Sequence, residues 1–234
     1  MLRIVTILAT GFIAVLLYNA YAGRKSTAGG SGDGRTIFGR VVTAGGEVPE
    51  GLWIRAAWRG ADGVRSASVP IMANGTFAVP DLEPGRYLLT TKRKDGDAAG
   101  TAPLQSGFTT VVVTDTDLRD VVLETKPAVD VIARTRFDGA DGKRPPVSVV
   151  ARLIVPGFGE ADSVPGVAQP DGSIVFRDLF GPRVMRPASS MSGWRIATVR
   201  FDGADVTGEA TDFAARAGAP LEITFASSQS PASR

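Results

Sequence analysis

Neither cysteine nor histidine occurs anywhere in the 234 residues. Without cysteine the chain has no disulfide, no thiolate nucleophile, no iron–sulfur cluster and no lipoprotein anchor of the kind that needs a cysteine. Without histidine it lacks the commonest general base and the ligand of nearly all zinc hydrolase sites. Charge of one sign is scarce as well: 26 Lys+Arg face 24 Asp+Glu, a net charge of +2. The densest basic cluster, TKRKDGD at 91–97, is balanced at once by Asp95 and Asp97. A nucleic-acid surface needs a basic stripe or a recognisable module, and the sequence shows neither. No nucleic-acid partner and no cofactor are expected.

What is abundant points to strands. Gly (28) and Pro (15) make turns frequent, and eleven Phe, three Trp and three Tyr can fill cores. After residue 36 the chain reads as short apolar-rich runs separated by Gly, Pro, Asn and Asp. Expected strands in the first half are 37–43, 52–58, 64–70, 76–80, 86–93, 108–114 and 119–125, broken at Asn74-Gly75, Pro84-Gly85 and Asp95-Gly96. Pro84 fixes φ, and Gly85 is free to take the positive φ of a turn. Seven strands in about ninety residues is the count of a β-sandwich. The second half repeats the scheme at 128–137, 147–155, 173–178, 194–201 and 221–226, with one helical turn at 211–217; the strand order around 183–193 is open.

The N-terminus differs in kind. MLRIVTILATGFIAVLLYNAYAG carries an apolar run of about fifteen residues, Ile4 to Tyr18, ahead of Ala20-Tyr21-Ala22. That is the length of a signal-peptide core with its cleavage site, and short for a spanning helix. Cleavage after Ala22 and retention as a membrane anchor both fit, because Arg3 lies on one side of the run and Arg24 and Lys25 on the other. Either way the folded part is placed outside the cytoplasm, as a secreted, periplasmic or anchored protein, and touches a membrane only through this segment. The stretch 23–36, GRKSTAGGSGDGRT, is a flexible linker; its Gly30, Gly32 and Gly34 lack the strand and helix a phosphate loop requires.

One stretch is written twice. NGTFAVPDLEPGRYLL (74–89) and DGSIVFRDLFGPRVMR (171–186) align at an offset of 97 residues, sharing Gly75/Gly172, Asp81/Asp178, Leu82/Leu179 and Arg86/Arg183. Repetition at that spacing means two tandem sandwiches, with Lys126-Pro127 the natural joint. The expected organisation is a signal peptide or anchor at 1–22, a linker at 23–36, sandwiches at 37–126 and 127–226, and a disordered tail at 227–234. The fold class is all-β: two tandem Ig-like antiparallel β-sandwiches after an N-terminal hydrophobic helix.

The first copy resembles the carboxypeptidase regulatory-like domain. That family opens on a Gly-Arg-Val-Val strand, here Gly39-Arg40-Val41-Val42, and later has a motif matched by Gly75, Phe77, Leu82, Pro84, Gly85 and Tyr87. The second copy departs from it: Gly39 becomes Ala133, Pro84-Gly85 becomes Gly181-Pro182, and Tyr87 becomes Val184. The resemblance implies an Ig-like or transthyretin-like sandwich of the carbohydrate-binding-like group. The matched residues are scaffold, with no nucleophile or metal ligand among them.

Candidate sites lie elsewhere. Five-residue spacing puts Trp53 and Trp58 on opposite faces of one strand; Trp58 goes to the core, and Trp53 shares a face with Arg55. A Trp beside an Arg can stack on a sugar ring or anchor a partner protein, or be buried under a neighbouring loop or domain. Trp194 reads as core. Asp115, Asp117 and Asp120 form an oxygen-rich loop with a weak claim on calcium, because the glycine and closing glutamate of an EF-hand are missing. No catalytic residue stands out, and no carboxypeptidase domain is present. The expected function is a non-catalytic envelope module that binds a carbohydrate or another envelope protein. A structural spacer is the alternative, and a hydrolase comes third.

Overall fold

The computed structural model describes residues 34–43, 45–46, 51–60, 63–93, 104–139, 146–189, 191 and 193–227. The expected N-terminal helix, nearly all of the linker, and the tail beyond Ser227 lie outside them. Among the described residues no helix is long and apolar enough to cross a membrane.

The first half holds β1 (Arg35–Thr43), β2 (Leu52–Gly60), β3 (Gly63–Pro70), β4 (Thr76–Leu82), β5 (Gly85–Arg93), β6 (Gln105–Ser106), β7 (Phe108–Val113) and β8 (Leu118–Pro127). They form two sheets, ordered β4-β1-β8-β6 and β3-β2-β5-β7. Alternation explains the packing. Ile54 and Ala56 of β2, Phe77 and Val79 of β4, and Tyr87 and Leu89 of β5 all point into one core between the sheets.

The second half holds β9 (Val129–Asp138), β10 (Val149–Val155), β11 (Gly159–Pro165), β12 (Val167–Ala168), β13 (Ile174–Leu179), β14 (Pro182–Pro187), β15 (Trp194–Phe201), β16 (Ala204–Asp205), β17 (Thr211–Asp212), a 3-10 helix (Phe213–Arg216) and β18 (Leu221–Ser227). Its sheets are β11-β10-β14-β17 and β12-β13-β9-β18-β15-β16. Phe176, Phe201, Phe213 and Phe225 dominate their core. The molecule is therefore all-β, two sandwiches in tandem. Each is antiparallel except for one parallel pair at the same place, β1–β8 and β9–β18. Ala128 alone separates β8 from β9. Three boundaries move: β1 starts at Arg35, inside the expected linker; β8 takes in Pro127, so the joint is Ala128 and not Lys126-Pro127; and β18 runs to Ser227. Shifts of one or two residues at element ends are ordinary.

The repeated stretch builds the same local structure twice. Asn74 Oδ1 accepts the N–H and hydroxyl of Thr76 at 3.1 and 2.7 Å; Asp171 Oδ1 does the same for Ser173 at 2.8 and 2.7 Å. Gly75 and Gly172 follow at φ 81° and 85°. Each side-chain oxygen mimics a backbone turn, and each glycine takes the left-handed conformation that closes it. Four residues after each glycine both sheets carry a bulge: the β4–β1 register slips between Ile37↔Val79 and Arg35↔Leu82, and the β13–β9 register between Phe176↔Val131 and Leu179↔Val129. Asp81 (φ 57°) and Asp178 (φ 53°) sit at those slips. Past Gly75, the left-handed residue of the first motif is thus Asp81. Gly85, expected to take that role, lies in β5 without a positive φ.

The pairing also accounts for the change of Gly39 to Ala133. Gly39 faces Phe77 across β1–β4, and a Cβ at Gly39 would clash with the Phe77 ring and with the backbone carbonyl of Val121 on β8. Ala133 faces Ile174, the smaller residue at the same place. The volume lost from one partner is regained on the other.

Candidate functional site

Trp53 and Arg55 sit in β2, both half-buried, on the face turned away from the first core. Trp53 pairs with Pro70 on β3 and Lys92 on β5; Arg55 pairs with Ser68 and Thr90. Directly opposed residues share a face, so an indole lies beside a guanidinium and an ammonium. Continuing along β2, this face carries Ala57 and Arg59, and its neighbours on β5 are Leu88 and Arg86.

The second sandwich covers that continuation. Ala57 and Leu88 are buried in one cluster with Ala128, Leu153, Val155, Phe158 and Phe180. Phe108 stacks obliquely on Phe180 at 6.4 Å between centroids. Arg59 donates to the Phe158 carbonyl at 3.2 Å and lies 5.8 Å from its ring centre. Arg93 meets Asp178 at 3.8 Å. Trp53, Arg55 and Lys92 thus border a seam between the two sandwiches. Trp58, on the opposite face of β2, packs against the first core with Tyr87, centroids 5.4 Å apart. Trp194 packs edge-on to Phe137 beside the second core.

The acidic loop is arranged differently from a metal site. Asp117 accepts the Thr36 N–H at 2.9 Å with one oxygen and faces Arg119 at 3.6 Å with the other. Asp120 is the left-handed residue of a bulge in β8, at φ 59°. Among the described residues no three acidic side chains are grouped to hold a metal ion.

Three described groups titrate away from their usual range, and each has a structural cause. Burial raises Tyr87, whose hydroxyl donates to the Glu83 carbonyl at 2.7 Å. Burial lowers Arg183, against the opposing pull of Asp162. The Thr207 hydroxyl and N–H lower Asp205, which accepts both at 2.6 and 2.9 Å. Arg183 has no solvent exposure. Its Nε donates to the Phe180 carbonyl at 3.1 Å, one Nη to the Ala151 carbonyl at 2.9 Å, and the other reaches Asp162 at 3.4 Å. These three groups fasten the scaffold and do not converge on a common cleft.

Sequence reading missed the seam and the burial of Arg183. The two-residue period of β2 and β5 already places Trp53, Arg55, Ala57 and Arg59, and Arg86, Leu88 and Lys92, on common faces. Nothing local distinguishes Arg183 from its exposed counterpart Arg86.

No protein-family model matches the chain, and no curated protein matches it in sequence. Solved structures with a similar arrangement include the minor pilin GBS52 of Streptococcus agalactiae, at 12% identity and a TM-score of 0.34, covering 86% of this chain and 99% of that one. A DUF3823 family protein from Parabacteroides merdae aligns at 17% identity and a TM-score of 0.32, over 72% of this chain and 65% of that one. The Bacillus anthracis TIE protein aligns at 13% identity and a TM-score of 0.32, over 83% of this chain but only 34% of its own. The chain therefore spans about a third of the length of one of these proteins and just under two thirds of another. Likeness at these TM-scores carries no inference about what the chain does.

Proposed function

We infer that the chain is a non-catalytic, extracytoplasmic binding module of the carboxypeptidase regulatory-like type, and that it binds a carbohydrate at Trp53 and Arg55. The observation that carries this reading is the strip formed by Trp53, Arg55 and Lys92: a half-buried indole flanked by two cations at the margin of the inter-sandwich seam. An indole face packs against the C–H face of a sugar ring, and flanking cations favour glycans that carry carboxylate or phosphate groups. A fold of this type does not itself name a ligand, so the site has to. The test is a glycan array probed with the full chain, acidic polysaccharides included. Binding that falls at least about tenfold in Trp53→Ala supports the reading, as expected for a buried aromatic anchor. Unchanged binding in that variant, or no glycan bound at all, overturns it.

The spacer reading has its own support in the seam, where seven buried apolar residues tie one sandwich to the other. On that reading a stable protein partner is recovered from the envelope and no glycan binds. Export rests on the N-terminal sequence alone. Mass spectrometry of the N-terminus from fractionated cells is expected to find a chain beginning at Gly23, or an intact chain in the membrane. An intact chain in the cytosol would refute it.

A further inference from the structure

The two copies differ where the last strand enters each sandwich. In the first, β8 begins at Leu118, which pairs with Ile37 across the bulge at Asp120 and packs against the core. The residue before it, Asp117, accepts the Thr36 N–H. In the second, the parallel ladder begins only at Leu221↔Ala133. Gly39 pairs with Val121 in one copy as Ala133 does with Leu221 in the other, so Pro220 stands where Asp120 stands. Pro220 has no N–H to offer a ladder, and its carbonyl already accepts the Asp202 N–H at 2.9 Å. The preceding chain forms the 3-10 helix and makes no ladder pair with β9. Alongside the first residues of β9 a hollow of about 410 Å³ is left open.

Its floor is core: Val131, Phe201, Phe213 and Leu221. Its rim carries Arg134, Arg216 and Asp130, whose carboxylate is already engaged by Arg177 at 3.4 Å and by the Asp178 N–H at 3.0 Å. Arg216 is held by Asp202 at 2.7 Å, whereas Arg134 has no ion-pair partner among the described residues. We propose that this slot is a peptide-binding site. It takes an extended, acidic segment of a partner protein, laid parallel to β9, with an Asp or Glu followed by a large aliphatic residue. The first sandwich supplies the template, since its own Asp117-Leu118 fills the matching place in that order and direction. An added strand gains main-chain hydrogen bonds, and an aliphatic anchor covers apolar floor. Arg134, the rim charge left without an ion-pair partner among the described residues, favours the acidic segment over a basic one.

The probe is a synthetic peptide of residues 114–121, TDTDLRDV, titrated into the isotope-labelled full chain and followed by NMR. Shifts confined to residues 129–134 and 213–221 are expected. Affinity should fall about tenfold in Arg134→Glu, the loss of one rim charge pair. It should vanish in Ala219→Trp, which fills the hollow, with thermal melting unchanged in both variants. No shifts in excess peptide, shifts elsewhere, or equal binding of a peptide with Lys in place of Asp117 would each overturn the proposal. Self-association of the full chain that Arg134→Glu abolishes would also overturn it, by making a second copy the occupant.

Discussion

One backbone carbonyl is served in two ways by the two sandwiches. Glu83 and Phe180 hold the same place in the repeat, just after the bulged strand. In the first copy the Tyr87 hydroxyl reaches back four residues to cap that carbonyl. In the second, Val184 replaces Tyr87, and the guanidinium of Arg183 reaches back three residues to do it. The first solution is the tyrosine corner of Ig-like domains. The second draws a cation fully into the interior, where it must also find Ala151 and Asp162. The shared arginine therefore has two fates. Arg86 is exposed on β5, with its guanidinium against Gly157 of the other sandwich; Arg183 is buried whole. Position in a repeat fixes which backbone group needs a partner, while the surrounding side chains decide who supplies it.

The largest expected effect breaks this pair of solutions. Arg183→Met strips three hydrogen bonds from the interior and should cost about 3 kcal/mol, because buried carbonyls lose their donors. Tyr87→Phe removes one bond and should cost about 1 kcal/mol. Arg86→Met should cost less than about 1 kcal/mol, as for an exposed charge. Urea unfolding of the three variants checks the order, and equal losses for Arg86 and Arg183 would remove the distinction.

A middle-sized effect sharpens the comparison by converting one copy's pair into the other's. Gly39→Ala should destabilise by about 1–3 kcal/mol through overlap with Phe77 and with the Val121 carbonyl. Adding Phe77→Ile recreates the Ala133–Ile174 combination and should recover part of that loss. A double variant less stable than Gly39→Ala alone would show that the pair does not trade volume as described.

The smallest effect concerns charge at a shared turn. Asn74 and Asp205 cap the same kind of turn, each accepting the N–H and hydroxyl of a threonine two residues on. Asn74 does not titrate. Asp205 does, and its hydrogen bonds hold its folded pKa below the ordinary Asp range. The carboxylate's contribution is present above that range and is lost as pH falls through the lowered value. The protection factor of the Thr207 amide, its exchange measured against the intrinsic rate at each pH, should therefore fall on acidification while that of Thr76 stays level.

Much of the scaffold was legible in the residues. Alternation in LWIRAAW separates Trp53 from Trp58, and Asp202-Gly203 (φ 52° and 80°) forms the tight turn its dipeptide announces. The helical turn expected at 211–217 is the 3-10 helix Phe213–Arg216, capped by Asp212. Other features could not be read because they depend on what lies across space. GEADSVP offers few apolar residues, yet it pairs as β11 because β10 presents a free edge. Left-handed Asp81 and Asp178 look like ordinary strand residues until the bulges are seen. The seam uses Ala57 and Leu88, which any core would also use. The slot beside β9 exists because Pro220 stands where a pairing residue would be, and that becomes visible only when the two copies are superposed strand by strand.

The seam also bears on how the chain is made. Synthesis runs from the N-terminus, so the first sandwich is complete before the strands that cover it. Until Val155, Phe158 and Phe180 arrive, its outer face presents Ala57, Leu88 and Phe108 to whatever is nearby. A ribosome-bound or truncated first half is thus stickier than the finished protein, and Ala128, though it alone joins the two sandwiches, is a poor place to divide them.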